Sequence, residues 1–360
     1  MKERYLIASA LLLLTACSGK VQIGKPTIPY VREIISDHSL PQHALASGYK
    51  PQGDAAIYLV GPSEQCIPLL KAFMQSDIYD NVDGRSSNDG LADFAGETIC
   101  TVSDIANSPY AKFLAEGRED ALREVTVRNV LATMDTLCRI GEHDQTGMGR
   151  KPASKVVVLP SPYASEFGLY DVDTLFNALG CGLHVVSPLR VMMDRVFSGR
   201  KGDAMVGVIS TRDNVASGGY SSFVQEVSAR HSLTGSDCVV FPSDTSGADP
   251  LVSFLNSYMA AGYTRPLDAL LVDDYDIDPD AVAVSLSLLT DPSGDLSLTY
   301  GNLLARNFML LDARRAAVEE CYRILRSNNL FTHNIAQPKS LEFSTMAIDS
   351  VDFTISRYAR

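Results

Sequence analysis

Three short apolar runs decide the fold: Ala204–Ser210 (AMVGVIS), Cys238–Phe241 (CVVF) and Ala269–Val272 (ALLV). Between them lie two amphipathic segments, Tyr220–Arg230 and Leu251–Ala261, each long enough to cross from one parallel strand to the next. Strands that alternate with helices in this way predict a parallel sheet covered by helices. Ligands of open α/β sheets bind outside the carboxyl ends of the strands, so we expect any site at that edge.

The first half of the chain shows a similar order of elements. At 360 residues the chain is long enough for two domains of about 150 residues each. We therefore predict an α/β fold with two Rossmann-like lobes and parallel sheets, residues 54–200 and 201–330, followed by a tail, 331–360, that crosses back or packs on the lobes. Four strands are predicted before residue 200, at Ala55–Val60, Glu97–Val102, Lys155–Pro160 and Leu183–Val186, with one long or two shorter helices over Ser108–Ile140.

Polar side chains follow the predicted strands of both lobes, where the carboxyl ends of parallel strands converge. We expect these side chains to contact a ligand in a cleft between the lobes. They are Ser161 and Tyr163 from the first lobe, and Thr211, Arg212, Asp244, Thr245 and Asp273 from the second.

Arg212 is the most informative of these residues. Its planar guanidinium suits a carboxylate or vicinal hydroxyls, and a lysine would not replace it. The alternative is that Arg212 pairs with Asp213 or Asp244 and only fixes the loop.

The N-terminus has the layout of a secretory signal peptide: a basic start at Met1–Arg4, an apolar run at Leu6–Leu14, and then LTAC at Leu14–Cys17. This tetrapeptide resembles the lipobox of bacterial lipoproteins, whose cysteine is diacylated and becomes residue one of the mature chain. The resemblance implies a signal peptide over 1–16, a lipid anchor on Cys17, a tether over 17–53, and a body in the periplasm or outside the cell. A signal peptide that is cut elsewhere is the alternative.

Charge and motifs exclude several classes of function. The net charge of −12 argues against nucleic-acid binding, which needs clustered Lys and Arg. The six cysteines after Cys17 lack CxxC or Cys/His spacing, so zinc is not expected; buried free thiols are the plainer interpretation, and disulfide pairing stays open. Walker A, HExxH, GxSxG and GxGxxG motifs are missing, so we expect no cofactor.

Two acidic segments stand out, Asp80–Glu97 and Asp273–Asp280, and neither has the spacing of an EF-hand. The first is either a loop that contacts a ligand or a solvated connection. The second is explained by helix capping, by recognition of a polar ligand through Asp273 or Asp274, or by a metal. His333 is kept as a further candidate site residue.

A lipobox followed by two α/β lobes resembles the substrate-binding lipoproteins of the type I periplasmic-binding-protein class. Met205–Asp213 (MVGVISTRD), Asp237–Asp249 and Pro266–Asp274 (PLDALLVDD) resemble successive strands of the second lobe of that class. The resemblance implies a membrane-anchored protein that captures a small polar molecule between its lobes, with a membrane transport or uptake complex as a candidate partner.

Two other functions were weighed: an exported hydrolase that uses carboxylates from Asp83–Glu97 or Asp273–Asp276, and a non-catalytic scaffold of the cell envelope. A cysteine-based racemase also has two α/β lobes, but its cysteines are expected at strand ends, followed by Asn-Thr or Thr-His. Cys181 is followed by Gly-Leu-His and Cys238 by Val-Val, so this motif does not match. The sequence therefore favours binding over catalysis.

Overall fold

A computed structural model of the chain describes residues 25–142, 145–243, 248–332, 334, 336–345 and 355–357. Up to Phe197, the described residues of the first lobe form seven α-helices and six strands. In chain order they are α1 (Pro29–Ser36), α2 (Pro41–Ala46), β1 (Ala56–Gly61), α3 (Ser63–Gln75), β2 (Thr98–Ser103), α4 (Ala111–Ala115), α5 (Glu119–Met134), β3 (Leu137–Glu142), β4 (Gln145–Arg150), β5 (Ser154–Val158), α6 (Leu169–Leu179), β6 (His184–Val186) and α7 (Pro188–Phe197).

The second lobe follows and the chain then returns to the first. A π-helical turn, Ala164–Gly168, leads into α6, and a 3₁₀ turn, Gly301–Leu303, precedes β10. The remaining elements are β7 (Met205–Ser210), α8 (Arg212–Val215), α9 (Tyr220–Arg230), β8 (Asp237–Pro242), α10 (Pro250–Ala260), β9 (Leu267–Asp273), α11 (Pro279–Thr290), α12 (Asp295–Tyr300), β10 (Leu304–Asp312), α13 (Ala313–Ser327), β11 (Lys339–Thr345) and β12 (Ile355–Arg357).

Each lobe is built on its own sheet. The first sheet has the order β4-β3-β12-β11-β2-β1-β5-β6, and the second has the order β10-β9-β7-β8. All pairs of the second sheet are parallel, as are β11-β2, β2-β1, β1-β5 and β5-β6 in the first. The predicted α/β class with two lobes and parallel sheets is confirmed.

The central strands are apolar because helices cover both of their faces. Every residue of β1, β5 and β7 is buried. Val158 and Leu59 of the first lobe pack in one hydrophobic cluster with Val208 and Leu271 of the second, together with α7, α9 and α13. The lobes therefore share a core, where the sequence led us to expect a cleft.

Part of the range predicted as a tether belongs to the folded body. Residues 29–46 form α1 and α2, and Val31 and Ile34 are fully buried because they lie on the one apolar face of α1. Asp171 accepts hydrogen bonds from the Ile28 N–H (3.1 Å) and from Arg123 Nε (2.7 Å), which ties this segment to α5 and α6. Residues 1–24, with the lipobox and the start of the predicted tether, lie outside the described residues, so the lipid anchor stays a prediction.

Over Ser108–Ile140, where one long or two shorter helices are predicted, the chain forms two, α4 and α5. They end before Ile140, because β3 begins at Leu137 and pairs with β4 in an antiparallel hairpin. Gly149 makes the hairpin possible, because a Cβ there would lie 1.9 Å from Cδ1 of Ile140. None of the helices in the described ranges combines the length and the apolar character needed to cross a bilayer.

Candidate functional site

Each sheet has one point at which the order of its strands reverses. In the first sheet the chain moves from β1 to β2 on one side, and β5 lies on the other side of β1. In the second sheet β8 and β9 lie on opposite sides of β7. Ligands of doubly wound sheets bind at these reversal points, beyond the carboxyl ends of the strands. The relevant side chains are Ser161, which follows β5, Ser210, which ends β7, and Asp273, which ends β9.

The two reversal points face each other across the boundary between the lobes. The Tyr275 hydroxyl donates to the carbonyl of Pro160 at 3.3 Å, and the Tyr163 hydroxyl donates to the carbonyl of Asp213. Ser161 is fully buried and Asp273 is 1% exposed. The carboxyl ends of the central strands of both lobes thus meet in one buried region.

Asp273 is held by a hydrogen-bonded cluster from the second lobe. The Tyr220 hydroxyl lies 2.7 Å from Asp273 Oδ2 and 2.8 Å from Ser210 Oγ. Ser210 Oγ donates to the Asp273 carbonyl at 2.8 Å, and Asn214 Nδ2 donates to Ser210 Oγ at 3.0 Å. The Tyr220 hydroxyl is placed to donate its one proton to Asp273 Oδ2 or to Ser210 Oγ, and a proton on Asp273 leaves it free to donate to Ser210.

Burial keeps that proton on Asp273 at neutral pH. Desolvation raises the pKa of Asp273 to about 8, the nearby carboxylates Asp274 and Asp312 act in the same direction, and the hydrogen bond with Tyr220 opposes them. The second oxygen, Oδ1, is buried and has no hydrogen-bond partner among the described residues. Asp273 therefore presents one oriented oxygen that the folded chain leaves unused.

Glu166 approaches the same region from the first lobe, on the π-helical turn after β5. Its carboxyl lies against the α-carbon of Gly219, where an added Cβ would be 2.2 Å from Oε2. Desolvation raises the pKa of Glu166 to about 8, the charge of Asp273 adds to this rise, and contacts with Ser217 and Lys25 oppose it. Within the described ranges, neither carboxyl oxygen is solvent-accessible or has a hydrogen bond of good geometry.

The remaining unsatisfied group at this boundary is the Ser161 hydroxyl, which is buried and has no partner in the described part of the chain. Buried polar groups are almost always hydrogen-bonded, so each exception calls for an explanation. Here Ser161, Glu166 and Asp273 lie at the edge of the sheets where a ligand is expected. A bound molecule that hydrogen-bonds to them would account for all three.

Metal and thiol chemistry have no support at this site. Over the residues that the structure describes, no three His, Cys, Asp or Glu side chains are placed to hold a metal ion. Cys66, Cys181, Cys238 and Cys321 are not in disulfides. Burial raises the pKa of Cys238 to about 12, and those of Cys66 and Cys321 also rise, so these thiols stay protonated at neutral pH.

The predicted site residues do not all come together. Ser161 and Asp273 reach the buried region. Tyr163 also reaches it, but its hydroxyl is already bound to the Asp213 carbonyl, and the Thr211 hydroxyl accepts from the Asn214 N–H at 3.2 Å at the start of α8. Asp244, Thr245 and His333 lie outside the described residues.

Arg212 lies apart from the buried region. Its side chain is exposed and lines a hollow of about 440 Å³ that is formed by second-lobe residues such as Ser253 and Asn256. It makes no hydrogen bond or ion pair to any described residue. Neither Asp213 nor the carboxyl groups of the boundary pair with it, and Asp244 lies outside the described residues. Contact with a ligand and pairing with Asp244 therefore both stay predictions.

Sequence reasoning missed Glu166, Tyr220 and Ser210. Glu166 carries the one usable signal, since it is the only charged residue between Lys155 and Asp171. Tyr220 is the first residue of an amphipathic helix, and Ser210 is the last residue of an apolar strand. Both residues are ordinary at those positions, so neither stands out in the sequence. Their contacts with Asp273 depend on the order of the strands in the sheet, which the sequence pattern does not predict.

Comparison with known proteins shows similarity in structure alone. No protein-family model matches the chain, and no curated protein matches it by sequence. Glutamate racemase from Francisella tularensis is 12% identical with a TM-score of 0.48, over 82% of this chain and 90% of its own. Glutamate racemase RacE1 from Bacillus anthracis (13%, TM-score 0.45, 82% and 91%) and an arylmalonate decarboxylase (11%, TM-score 0.34, 75% and 92%) are similar at lower scores.

By name these structures are racemases and a decarboxylase and not periplasmic binding proteins. The prediction of a solute-binding protein is wrong. The structure gives a physical reason for the correction. A binding protein needs lobes that part around an open cleft, whereas these lobes share one hydrophobic cluster. At such low identities and TM-scores the likeness assigns no substrate and no role to any residue.

Proposed function

We propose that the chain is an enzyme in which Asp273 and Glu166 act as a general acid/base pair on a small molecule bound where the lobes meet. One observation carries the proposal. Each of two carboxyl groups, one from each lobe, has a pKa of about 8 and at least one buried oxygen that no described residue binds. Perturbed carboxyl groups of this kind cluster at catalytic sites.

A pKa of about 8 suits proton transfer near neutral pH. A general acid or base works best when its pKa lies close to the working pH, because both protonation states are then accessible. Structural carboxylates are instead held ionised by hydrogen bonds or cations. For Asp273 and Glu166 the effect of desolvation on the pKa exceeds that of the opposing contacts, which is the arrangement that a proton-transfer group requires.

The placement of the two groups suggests the type of reaction. Asp273 belongs to the second lobe and Glu166 to the first, so a molecule between them meets a carboxyl on each side. The group that is ionised can remove a proton from the molecule while the other, which is protonated, returns one, and this is the chemistry of an isomerisation at an acidic C–H bond. Tyr220 is a positioning residue, because its bond to Asp273 Oδ2 fixes the direction of Oδ1.

Access to the pair is from the side of Glu166. Its side chain is partly exposed although the carboxyl oxygens are covered, and Gly218 beside it is exposed. Gly218 has a φ of +67°, which a residue with a side chain rarely adopts. The Gly218-Gly219 turn therefore allows the close approach of Glu166 to the backbone.

The proposal is tested by hydrogen exchange. The protein is incubated in D₂O with a panel of amino, hydroxy and dicarboxylic acids, and loss of C–H signals is followed by proton NMR. We expect exchange of at least one compound, and a fall of about 100-fold or more in Asp273→Asn and in Glu166→Gln. Asp213→Asn, an exposed carboxyl of the same region, is the matched control and should keep the wild-type rate.

A second measurement tests the basis of the proposal without a substrate. Carbon-13 NMR of the side-chain carboxyl groups reports their titration directly. We expect two carboxyl groups that titrate near pH 8, one of them lost in Asp273→Asn and the other in Glu166→Gln. If both instead titrate at the ordinary value of about 4, the proposal loses its physical ground.

A further inference from the structure

A second hollow lies at the opposite edge of the first sheet. It encloses about 610 Å³ between the polar loop that joins α3 to β2 and the last turns of α13. This volume falls within the range of about 300–1,000 Å³ that is usual for small-molecule sites. Because the loop leads into the amino end of β2, the hollow and the Asp273–Glu166 pair lie at opposite ends of the strands.

The carboxylates of this loop already bind backbone groups of the loop itself. Asp80 Oδ1 accepts two backbone N–H bonds at 2.8 and 2.9 Å. Asp93 accepts two at 3.0 and 2.8 Å, and Asp77 accepts two at 3.1 Å each. The acidic residues that drew attention in the sequence therefore shape the loop, and their lone pairs are not directed at a cation.

Neutral polar groups of the hollow, in contrast, have unused hydrogen-bonding capacity. Asn81 donates from Nδ2 to the Ala92 carbonyl at 2.9 Å, but its Oδ1 is buried and has no partner among the described residues. The Thr332 hydroxyl is also buried and has no partner there. The Asn329 amide lines the rim without a hydrogen bond to any described residue. Arg326 binds the Asp83 carbonyl through one nitrogen and keeps other donors.

Apolar ring surfaces complete the wall. Tyr322 stacks on Tyr79 with ring centroids 4.2 Å apart, and Phe331 meets Tyr322 edge-on at 5.1 Å. Phe331 is partly exposed and lines the hollow together with Leu91. The hollow thus combines amide, hydroxyl and guanidinium groups with aromatic faces.

We propose that this hollow binds a sugar or a similar ring that carries several hydroxyl groups. A hydroxyl both donates and accepts, as do the amides of Asn81 and Asn329, so the two fit pairwise. The C–H faces of such a ring pack on aromatic side chains such as Phe331. A cation would find no free carboxylate in the hollow, and a wholly apolar ligand would leave Asn81 and Thr332 unsatisfied.

The test measures binding of three probes, D-glucose, N-acetylglucosamine and myo-inositol, to the whole protein by saturation-transfer NMR and calorimetry. Two variants remove ligand-facing groups without disturbing the fold. Asn329 has a φ of +53°, so Asn329→Gly removes the amide and keeps a conformation that glycine adopts freely. Thr332→Val removes the unsatisfied hydroxyl and keeps the shape of the side chain.

We expect at least one probe to bind, and to bind about tenfold more weakly to each variant, since one hydrogen bond contributes roughly 1 kcal/mol. Asn302→Ala, an exposed asparagine of the second lobe, should bind like the wild type. Failure of all three probes to bind the wild type, or equal affinity in both folded variants, would overturn the inference. Melting temperatures of the variants establish that they are folded.

This inference does not depend on the proposed acid/base pair. Asp273→Asn should therefore bind the probe with unchanged affinity, because Asp273 lies at the other end of the strands. A variant that lost hydrogen exchange but kept sugar binding would support both ideas. Loss of probe binding in Asp273→Asn would place the ligand at the boundary of the lobes and contradict a separate site.

Discussion

The buried ionisable side chains at the two ends of the central strands differ in whether they have a partner of opposite charge. At the amino ends, Lys155 of β5 forms an ion pair with Glu97, and both side chains are fully buried. Lys155 Nζ also donates to the carbonyls of Gly53 and Leu330 at 2.7 and 2.8 Å, and Glu97 Oε1 accepts the Thr332 N–H at 2.7 Å. This pair joins four segments of the chain and serves the fold.

At the carboxyl ends, Asp273 and Glu166 form no ion pair with a described residue, and Oδ1 of Asp273 and both carboxyl oxygens of Glu166 have no hydrogen-bond partner there. Position at a strand end is not sufficient to produce this state. Asp104 directly follows β2, yet it accepts from Tyr110, Asn129 and Asn107 at 2.7 Å each. The comparison teaches that the satisfied carboxylates mark structure, and the unsatisfied ones mark the candidate site.

Breaking the ion pair should have the largest effect. Lys155→Met leaves Glu97 buried without its cation, so we expect the free energy of unfolding to fall by about 3–5 kcal/mol. The double variant Lys155→Met/Glu97→Leu removes both charges and should recover most of that loss. Urea denaturation measures both. A double variant as unstable as the single one would show that the hydrogen bonds to the backbone, and not the charge pair, dominate.

The contribution of Asp273 and Glu166 to stability should instead depend on pH. The pKa values of Asp273 and Glu166 are about 8 in the folded chain and about 4 in the unfolded chain, so the folded state binds more protons between these values. Their contribution to stability is full below pH about 4 and is lost as the pH rises through about 8.

We expect the wild type to lose at least about 2 kcal/mol between pH 5 and about 8.5, relative to Asp273→Asn/Glu166→Gln. The measurement is urea denaturation at a series of pH values. Parallel stability curves for the two proteins would mean that the carboxyl groups are ionised or solvated in the folded chain.

A smaller effect should follow when a methyl group is added to Gly219, which packs against the carboxyl of Glu166. The Cβ of Gly219→Ala would lie 2.2 Å from Oε2, so the carboxyl must move, and overpacking of this kind costs about 1–3 kcal/mol. Gly202→Ala is the control, because no atom lies within 4 Å of its added Cβ and its φ is ordinary. Thermal denaturation of both variants is the measurement. Equal melting temperatures of Gly219→Ala and Gly202→Ala would argue against the close approach of Glu166 to Gly219.

Removal of one hydroxyl should give the smallest change. Tyr220→Phe deletes the contacts with Asp273 and Ser210, at a cost of about 1 kcal/mol. Since the hydrogen bond with Tyr220 lowers the pKa of Asp273, its loss should raise that pKa further. Carbon-13 NMR of the Asp273 carboxyl would show the shift. An unchanged or lower value would mean that Tyr220 does not stabilise the ionised form.

The sequence predicted the class of fold because strands such as β5 and β7 are short, apolar and separated by amphipathic helices. It placed Ser161 and Asp273 correctly at strand ends. It could not place β3 and β4, since the apolar spacing around Cys138 also fits a helix and the pairing with residues 145–150 is set by contacts across the sheet.

The candidate site was only half accessible to sequence reasoning. The rule that sites follow strand ends finds Asp273, but it also selects Arg212, whose side chain points to a hollow of the second lobe alone. Whether a carboxyl is satisfied depends on neighbours distant in sequence, as Asp104 and Asp273 show. That property belongs to the packed structure and has no local signal.

The position of β11 has a consequence for how the chain folds. β11 is an inner strand of the first sheet, paired with β2 on one side and β12 on the other, and Thr345 Oγ1 accepts the N–H of Ala106, 239 residues earlier. During synthesis the first lobe therefore has an open edge on β2 until nearly the whole chain has emerged, whereas the second sheet is formed by the continuous stretch 205–312. Pairings of such long range are slow and leave unpaired edges exposed. The N-terminal lobe should be the last to become resistant to protease on a ribosome, even though it is made first.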